Sequence, residues 1–228
     1  MEKVLNAVNK TKAIIVDGDN TLWKGRVAEH IGKEYLIGQV LRRNFGNVFK
    51  GTKEAMKIKF LLRKNKDNEK PETEGIKLFY NLLIDWNLGE KHTFERIAKY
   101  HFERNSIKPV QQIVVFSTVK KLLATLGGST AAEVAKNYYC LDDFVSNIDI
   151  FRKIGYIQKL DGIDIVMSNG AEKLEMVEKW LRKYKIKIKD CAVIGDSLSD
   201  LPLLEKAGIS ISSPGSVNRV KDIADFQM

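Results

Sequence analysis

The stretch Ala13-Ile14-Ile15-Val16-Asp17-Gly18-Asp19-Asn20-Thr21-Leu22 decides how this chain is read. Four apolar residues run into two carboxylates one residue apart. A strand covered on both faces reads as a near-continuous apolar run, so 13–16 fits a buried strand. Side chains alternate along a strand, and Asp17 and Asp19 therefore leave its tip on the same side. Two neighbouring carboxylates repel each other and call for a compensating cation. A hard divalent ion with oxygen ligands answers that need, Mg²⁺ first. The competing reading is a turn that merely ends a strand, since Asp, Gly and Asn all favour turns.

A second stretch repeats the pattern. Cys191-Ala192-Val193-Ile194-Gly195-Asp196 is another apolar run closed by an Asp, followed by Ser197-Leu198-Ser199-Asp200. Between the two lie Lys121–Gly128, an apolar run ending in Thr125 and two glycines, and a helix start at Ser129-Thr130. Asp143–Asn147 reads as a strand, and Gly155–Met167 as one or two more. Leu174, Val177, Leu181 and Tyr184 space an amphipathic helix, Ile209–Ile211 is a last core strand, and 214–228 reads as a closing loop and tail. Strands alternating with helices predict an α/β fold, a Rossmann-like parallel sheet with helices on both faces. In such sheets ligands bind at the carboxyl ends of the strands, where Asp17, Asp19, Thr125 and Asp196 all fall. Val110–Val119 stays ambiguous: Ile113–Phe116 favours a strand, while its apolar stripe also fits a helix.

From Trp23 to about Arg104 the pattern is helical throughout, with stripes at Val27, Ile31, Tyr35 and Gly38, at Met56, Phe60 and Leu61, at Ile76, Phe79, Tyr80 and Leu83, and at Phe94, Ile97, Ala98 and Phe102. The polar stretch 64–74 reads as a loop. This block predicts an all-helical cap over 24–105, inserted into a discontinuous core of 1–23 and 106–228. Lysines and arginines crowd the segment from Lys50 to Lys70. A solvated helix face explains them first, and a funnel for an anionic substrate second.

The chain has 228 residues, 44% of them apolar and 29% charged, the balance of an ordinary globular protein. Thirty-eight basic against 29 acidic side chains give a net charge of +9, which fits nucleic acid, an anionic small molecule, or neither. No DNA-reading helix pair or aromatic stacking platform accompanies the charge, so nucleic acid ranks low. The three scattered histidines argue against a zinc enzyme. No apolar stretch approaches a membrane span, and Cys140 and Cys191 lie outside any CxxC spacing. A cytoplasmic protein with reduced thiols is expected. Oligomeric state is not readable.

Asp17-Gly18-Asp19-Asn20-Thr21 and Gly195-Asp196-Ser197-Leu198-Ser199-Asp200, each closing an apolar strand and in this order, resemble the DxDxT and GDxxxD motifs of the haloacid dehalogenase-like phosphatase superfamily. Lys173 at a helix start, and Thr125-Leu126-Gly127-Gly128-Ser129 before another, resemble its phosphoserine-phosphatase-like subgroup. The resemblance covers 13–22 and about 109–213. It implies a Mg²⁺-dependent phosphomonoester hydrolase acting on a small phosphorylated metabolite. Asp17 would be the nucleophile that carries an aspartyl-phosphate. Asp19 would be the general acid and base and lend its backbone carbonyl to the metal. Asp196 would complete the metal site, with Asp200 a direct ligand or a partner one shell out. Lys173, Thr125, Gly127 and Gly128 would hold the phosphoryl group. Ser117-Thr118 is the rival for the hydroxyl, and Ser168 a third, set too close to Asp196. The subgroup's acidic residue for a substrate ammonium is displaced: in Trp23–Glu29 the basic Lys24 and Arg26 come first and Glu29 last. Arg26 therefore points to an anionic remainder on the substrate. The same chemistry would serve a phosphotransferase, and a basic nucleic-acid-binding or scaffold protein could retain the fold without it.

Overall fold

The structure, a computed structural model, describes residues 1–27, 29–30, 34, 77, 80–81, 83–84 and 90–228. The stripes expected at Ile31, Tyr35 and Gly38 and at Met56–Leu61, the loop 64–74, and the basic segment Lys50–Lys70 lie outside these residues.

Along the chain the described elements are α1 (Glu2–Val8), β1 (Ala13–Val16), α2 (Lys91–Asn105), α3 (Lys108–Phe116), β2 (Lys120–Gly128), α4 (Ser129–Tyr138), β3 (Asp143–Ile154) and β4 (Ile157–Asp164). Then come α5 (Gly170–Lys183), β5 (Cys191–Gly195), α6 (Leu201–Lys206), β6 (Ile209–Ser212), α7 (Asn218–Ile223) and β7 (Phe226–Gln227). The strands form one sheet in the order β4-β3-β2-β1-β5-β6-β7. All neighbours are parallel except β3 and β4, which form an antiparallel hairpin at one edge. The fold is the Rossmann-like α/β sheet expected, with two additions. The Gly155–Met167 segment turns back on β3 instead of extending the parallel set. The supposed tail carries α7 and β7.

Alternation along the three central strands builds the two layers. Ile14 and Val16 of β1, Leu123 of β2, and Ala192 and Ile194 of β5 face one core, with Val110, Ile113 and Ala132. Ala13, Ile15, Leu122, Ala124, Cys191 and Val193 face the other, with Val177, Leu181 and Leu203. All four residues of β1 are buried. Each such Val or Ile contributes roughly 1.5–3 kcal/mol. Helices α2, α3 and α4 thus cover one face, and α5 and α6 the other.

The ambiguous segment is helix α3. Its β-branched run is a helical stripe: Val110, Ile113 and Val114 are buried, while Val115 and Phe116 face solvent. Pro109 sits in its first turn, where a missing N–H is harmless. In the block read as a cap, Tyr80, Leu83, Phe94, Ala98 and Phe102 are buried in the same cluster as Ile14 and Val16. Those five residues are core, and α2 packs against the sheet's own helices; Ile76 and Phe79 lie outside the described residues.

Candidate active site

Register sets the site. Val16 pairs with Leu123 on one side and with Ile194 on the other. The residues that follow each strand therefore emerge level at one edge of the sheet. The Asp17 N–H still donates to the Ile194 carbonyl at 3.0 Å, so the two motifs stay locked together past the end of the strand. The Thr21 hydroxyl closes the gap again, reaching Asp196 Oδ1 at 3.3 Å.

Asp17, Asp196 and Asp200 offer carboxylate oxygens within 4.8 Å of one another. Lys173 Nζ lies among them, 2.6 Å from Asp17 Oδ1 and 2.6 Å from Asp200 Oδ1. Lys173 is completely buried, and Asp196 and Asp200 nearly so. Burial pulls the ammonium's pKa down, but the two carboxylates outweigh it and hold Lys173 above its usual range. Asp17 is pushed well above the ordinary carboxylate range, by burial first and then by Asp200; Lys173 opposes this and Asp196 adds to it. Three carboxylates and the Lys173 ammonium gather at one point, a donor set rich in negative oxygen. A hard divalent cation fits that donor set.

Asp200 is the least available of the three. Its Oδ1 is taken by Lys173. Its Oδ2 accepts from the Asp196 N–H at 3.1 Å, the Ser197 N–H at 3.1 Å and the Ser197 hydroxyl at 3.0 Å. The Ser197–Asp200 pair is a capping box on the turn Leu198–Asp200. Gly195 makes the fold-back feasible, since a Cβ there would lie 2.5 Å from that of Asp200. Asp200 thus orients Lys173 and the Asp196 backbone, which suits a supporting role better than direct ligation.

Lys173 owes its place to local structure. Asn169 caps α5, its side chain accepting from the Glu172 N–H at 3.0 Å. Glu172 accepts in return from the Ser168 N–H at 2.6 Å and hydroxyl at 2.8 Å. The Ser168 hydroxyl, third candidate for the phosphate, is spent on this cap. Upstream, Asn147 is fully buried and ties β2 to the approach to α5. It donates to the Leu126 carbonyl at 2.8 Å and accepts from Val166 and Met167 N–H at 2.9 Å each.

Of the rival hydroxyls, Ser117 and Thr118 sit before β2, at the opposite end of the strand from the carboxylates. Ser117 donates to its own helix at Val114, and the Thr118 N–H is held by Asn9. Thr125 is buried at the carboxylate end, its Oγ1 3.3 Å from where a Gly18 Cβ would stand. That oxygen accepts from the Gly127 N–H at 3.1 Å, which directs its own proton elsewhere. The cradle expected at the start of α4 is altered: the Thr130 N–H is bonded to Asp149 Oδ2 at 2.7 Å, and Asp149 Oδ1 accepts from the Tyr80 hydroxyl at 2.5 Å. An internal carboxylate already occupies part of that helix N-terminus, beside Gly128. Asp19 Oδ1 accepts from the Trp23 indole at 2.8 Å. Arg26 is half-buried in the loop that follows, with its carbonyl accepting from the His30 N–H at 3.3 Å.

Sequence reading passed over Thr21, Trp23, Asn147 and the Tyr80–Asp149 pair. Thr21 and Asn147 stood inside quoted motifs and carried that signal. Tyr80 and Asp149 meet only through the fold.

The model of the haloacid dehalogenase-like hydrolases matches residues 89–228, more than half of the chain. A Bacillus subtilis (strain 168) protein named "Putative phosphatase YkrA" is 33% identical over 61 residues, 27% of this chain and 24% of that protein, so the match spans about a quarter of the relative's length. Among solved structures, a protein of unknown function from Bordetella pertussis Tohama I superposes with a TM-score of 0.72 at 14% identity, over 96% of this chain and 99% of that one. A HAD family hydrolase from Salmonella enterica serovar Typhi gives 0.70 at 17% identity, over 96% and 67%. A phospho-aspartyl intermediate analogue of phosphoserine phosphatase gives 0.67 at 17% identity, over 96% and 93%. These likenesses show the fold. Among the described residues, no helix is long and apolar enough to cross a membrane. Fold, motif order and family model agree that the chain belongs to the haloacid dehalogenase-like hydrolases.

Proposed function

We propose that the protein hydrolyses phosphomonoesters of small metabolites through an aspartyl-phosphate on Asp17, with Mg²⁺ as cofactor. One observation carries the reading: a fully buried lysine joins Asp17 to Asp200 inside a carboxylate group at the carboxyl ends of the central strands. Asp17 and Asp196, with the Asp19 backbone carbonyl, would hold the ion, and Asp200 would support them. When bound, Mg²⁺ supplies positive charge that offsets the phosphoryl oxygens and the clustered carboxylates.

Asp17 is the nucleophile because it is the carboxylate held at the strand tip by Lys173 and by its own backbone bond to β5. Its oxygen forms a bond to phosphorus as the leaving oxygen departs with the electron pair of its P–O bond. Asp19 gives that oxygen a proton, then takes one from the water that attacks phosphorus in the second displacement. Lys173 balances charge on the phosphoryl group, and the Thr125 hydroxyl, with its oxygen already held by Gly127, donates to one phosphoryl oxygen. The inserted block 24–105 would select the rest of the substrate through residues outside its buried stripes, and Arg26 favours an anionic one. The two free thiols suit the cytoplasm.

The test is phosphate release from an aryl phosphate with Mg²⁺ by the purified protein and by Asp17→Asn. The reading expects release by the first and none by the second. Undiminished release by Asp17→Asn overturns it.

A further inference from the structure

The Trp23 side chain is held more firmly than its place in a loop requires. It is buried, with its ring 4.5 Å from that of Phe102 and stacked at 6.0 Å on Tyr139. A Cβ on Gly18 would lie 2.6 Å from the indole, so the glycine between the two aspartates is what admits the ring. The backbone repeats the tie. Trp23 N–H donates to the Gly18 carbonyl at 3.2 Å, and the Asn20 N–H donates to the Trp23 carbonyl at 2.6 Å. Asn20 between them takes the left-handed conformation, with φ 62°. The outcome of this clamp is one polar contact, indole Nε1–H to Asp19 Oδ1 at 2.8 Å.

We propose that Trp23 is a positioning residue for proton transfer in the reaction proposed above: its indole N–H fixes one oxygen of the Asp19 carboxyl and supports the charge that forms there. The indole donor holds the carboxyl group in one orientation and so aims the proton that it transfers. As the P–O bond to the leaving group breaks and its electron pair goes to the leaving oxygen, the Asp19 proton moves to that oxygen. Asp19 is left as a carboxylate. A hydrogen bond to a carboxylate is stronger than one to the neutral acid, so the indole stabilises the state after transfer more than the state before it. Indole carries a donor and no acceptor and cannot itself take the proton.

The test compares wild type with Trp23→Phe on two esters of similar size, 4-nitrophenyl phosphate and phenyl phosphate. 4-Nitrophenoxide leaves with little need of a proton; phenoxide needs one. For Trp23→Phe, kcat/KM is expected to fall about tenfold to a hundredfold on phenyl phosphate, and less than about threefold on the nitrophenyl ester. Equal losses on both esters would mean that the indole only holds the loop, and overturn the positioning role alone. A wild type inactive on both removes the reaction, and this proposal with it. A second arm needs no activity and no folded Trp23→Phe: in labelled protein, Asp19→Asn is expected to move the Trp23 indole N–H resonance. The Trp180 indole, bonded to Asp143 at 2.8 Å, stays in place as the control. A Trp23 resonance unmoved by Asp19→Asn also overturns the proposal.

Discussion

Replacing Lys173 by Met keeps the length and apolar stem of the side chain and removes only the ammonium. The structure makes the consequence large. Lys173 has no exposed surface, and its two bonds, each 2.6 Å, join carboxylates that are 11% and 1% exposed. Without it, three carboxylates within 4.8 Å of one another lose the ammonium that bonds two of them. Breaking a buried pair in this way costs about 3–5 kcal/mol. For a chain of this size that lowers Tm by roughly 6–20 °C, at 2–4 °C per kcal/mol. Urea unfolding in the presence of EDTA measures it directly. Two further arms fix the cause. Asp17→Asn in the Lys173→Met background should recover part of the loss, because it deletes one of the carboxylates that lost the ammonium. It should recover more there than it changes in wild type, where it also removes the Lys173 bond. Mg²⁺ should stabilise wild type as well, by about 2.7 kcal/mol at a hundred times its Kd. A Lys173→Met protein within about 1 kcal/mol of wild type, well short of the range for a broken buried pair, would refute the electrostatic account of this cluster. So would an Asp17→Asn effect that is equal in both backgrounds.

Other outcomes follow from the same geometry. Asn147→Ala leaves the Val166 and Met167 N–H groups without their acceptor, and should lower stability by about 3 kcal/mol in denaturant titration. It should also lower kcat by loosening the approach to Lys173. Glu172, held below its ordinary pKa of 4.5 by the Ser168 hydroxyl and N–H, stabilises the protein fully at neutral pH. That contribution, about 1 kcal/mol for a helix cap, disappears as pH falls below 4.5 and through the folded pKa. The gap between wild type and Glu172→Ala should therefore close in acid, and a gap that widens would refute the assignment. Cys140 is exposed, while Cys191 is buried with its thiol pushed up to about 12 by burial. A thiol reagent at neutral pH should label one cysteine in the native protein and two after unfolding.

Much of the sheet and of its carboxylate-bearing edge was legible because one device repeats in the sequence: a fully apolar run stopped by Asp. Both runs are strands, and parallel register alone brings their tips level. Lys173 was legible from its place at a helix start, and the Asn169 cap, braced by Glu172 on Ser168, explains why the helix begins there. Helix α3 was not, because a β-branched run fits either period until burial shows which face is wet. The hairpin of β3 and β4 and the added β7 depend on sheet edges, which local pattern does not encode. Asp149 was missed because its partner Tyr80 lies far back in the chain, and the pair blocks a helix N-terminus that reads as open from glycines and hydroxyls. Trp23 carries no signal of its own in the sequence; only the fold shows that its N–H faces Asp19.

The central claim is that Asp17 carries the phosphoryl group. Rapid acid quench of the enzyme turning over a phosphomonoester with Mg²⁺, followed by peptide mass analysis, tests it most directly. The account predicts one phosphoryl group on the peptide that contains Asp17, released by hydroxylamine and absent in Asp17→Asn. Turnover with the phosphoryl group on a different residue, or undiminished turnover by Asp17→Asn, would contradict it.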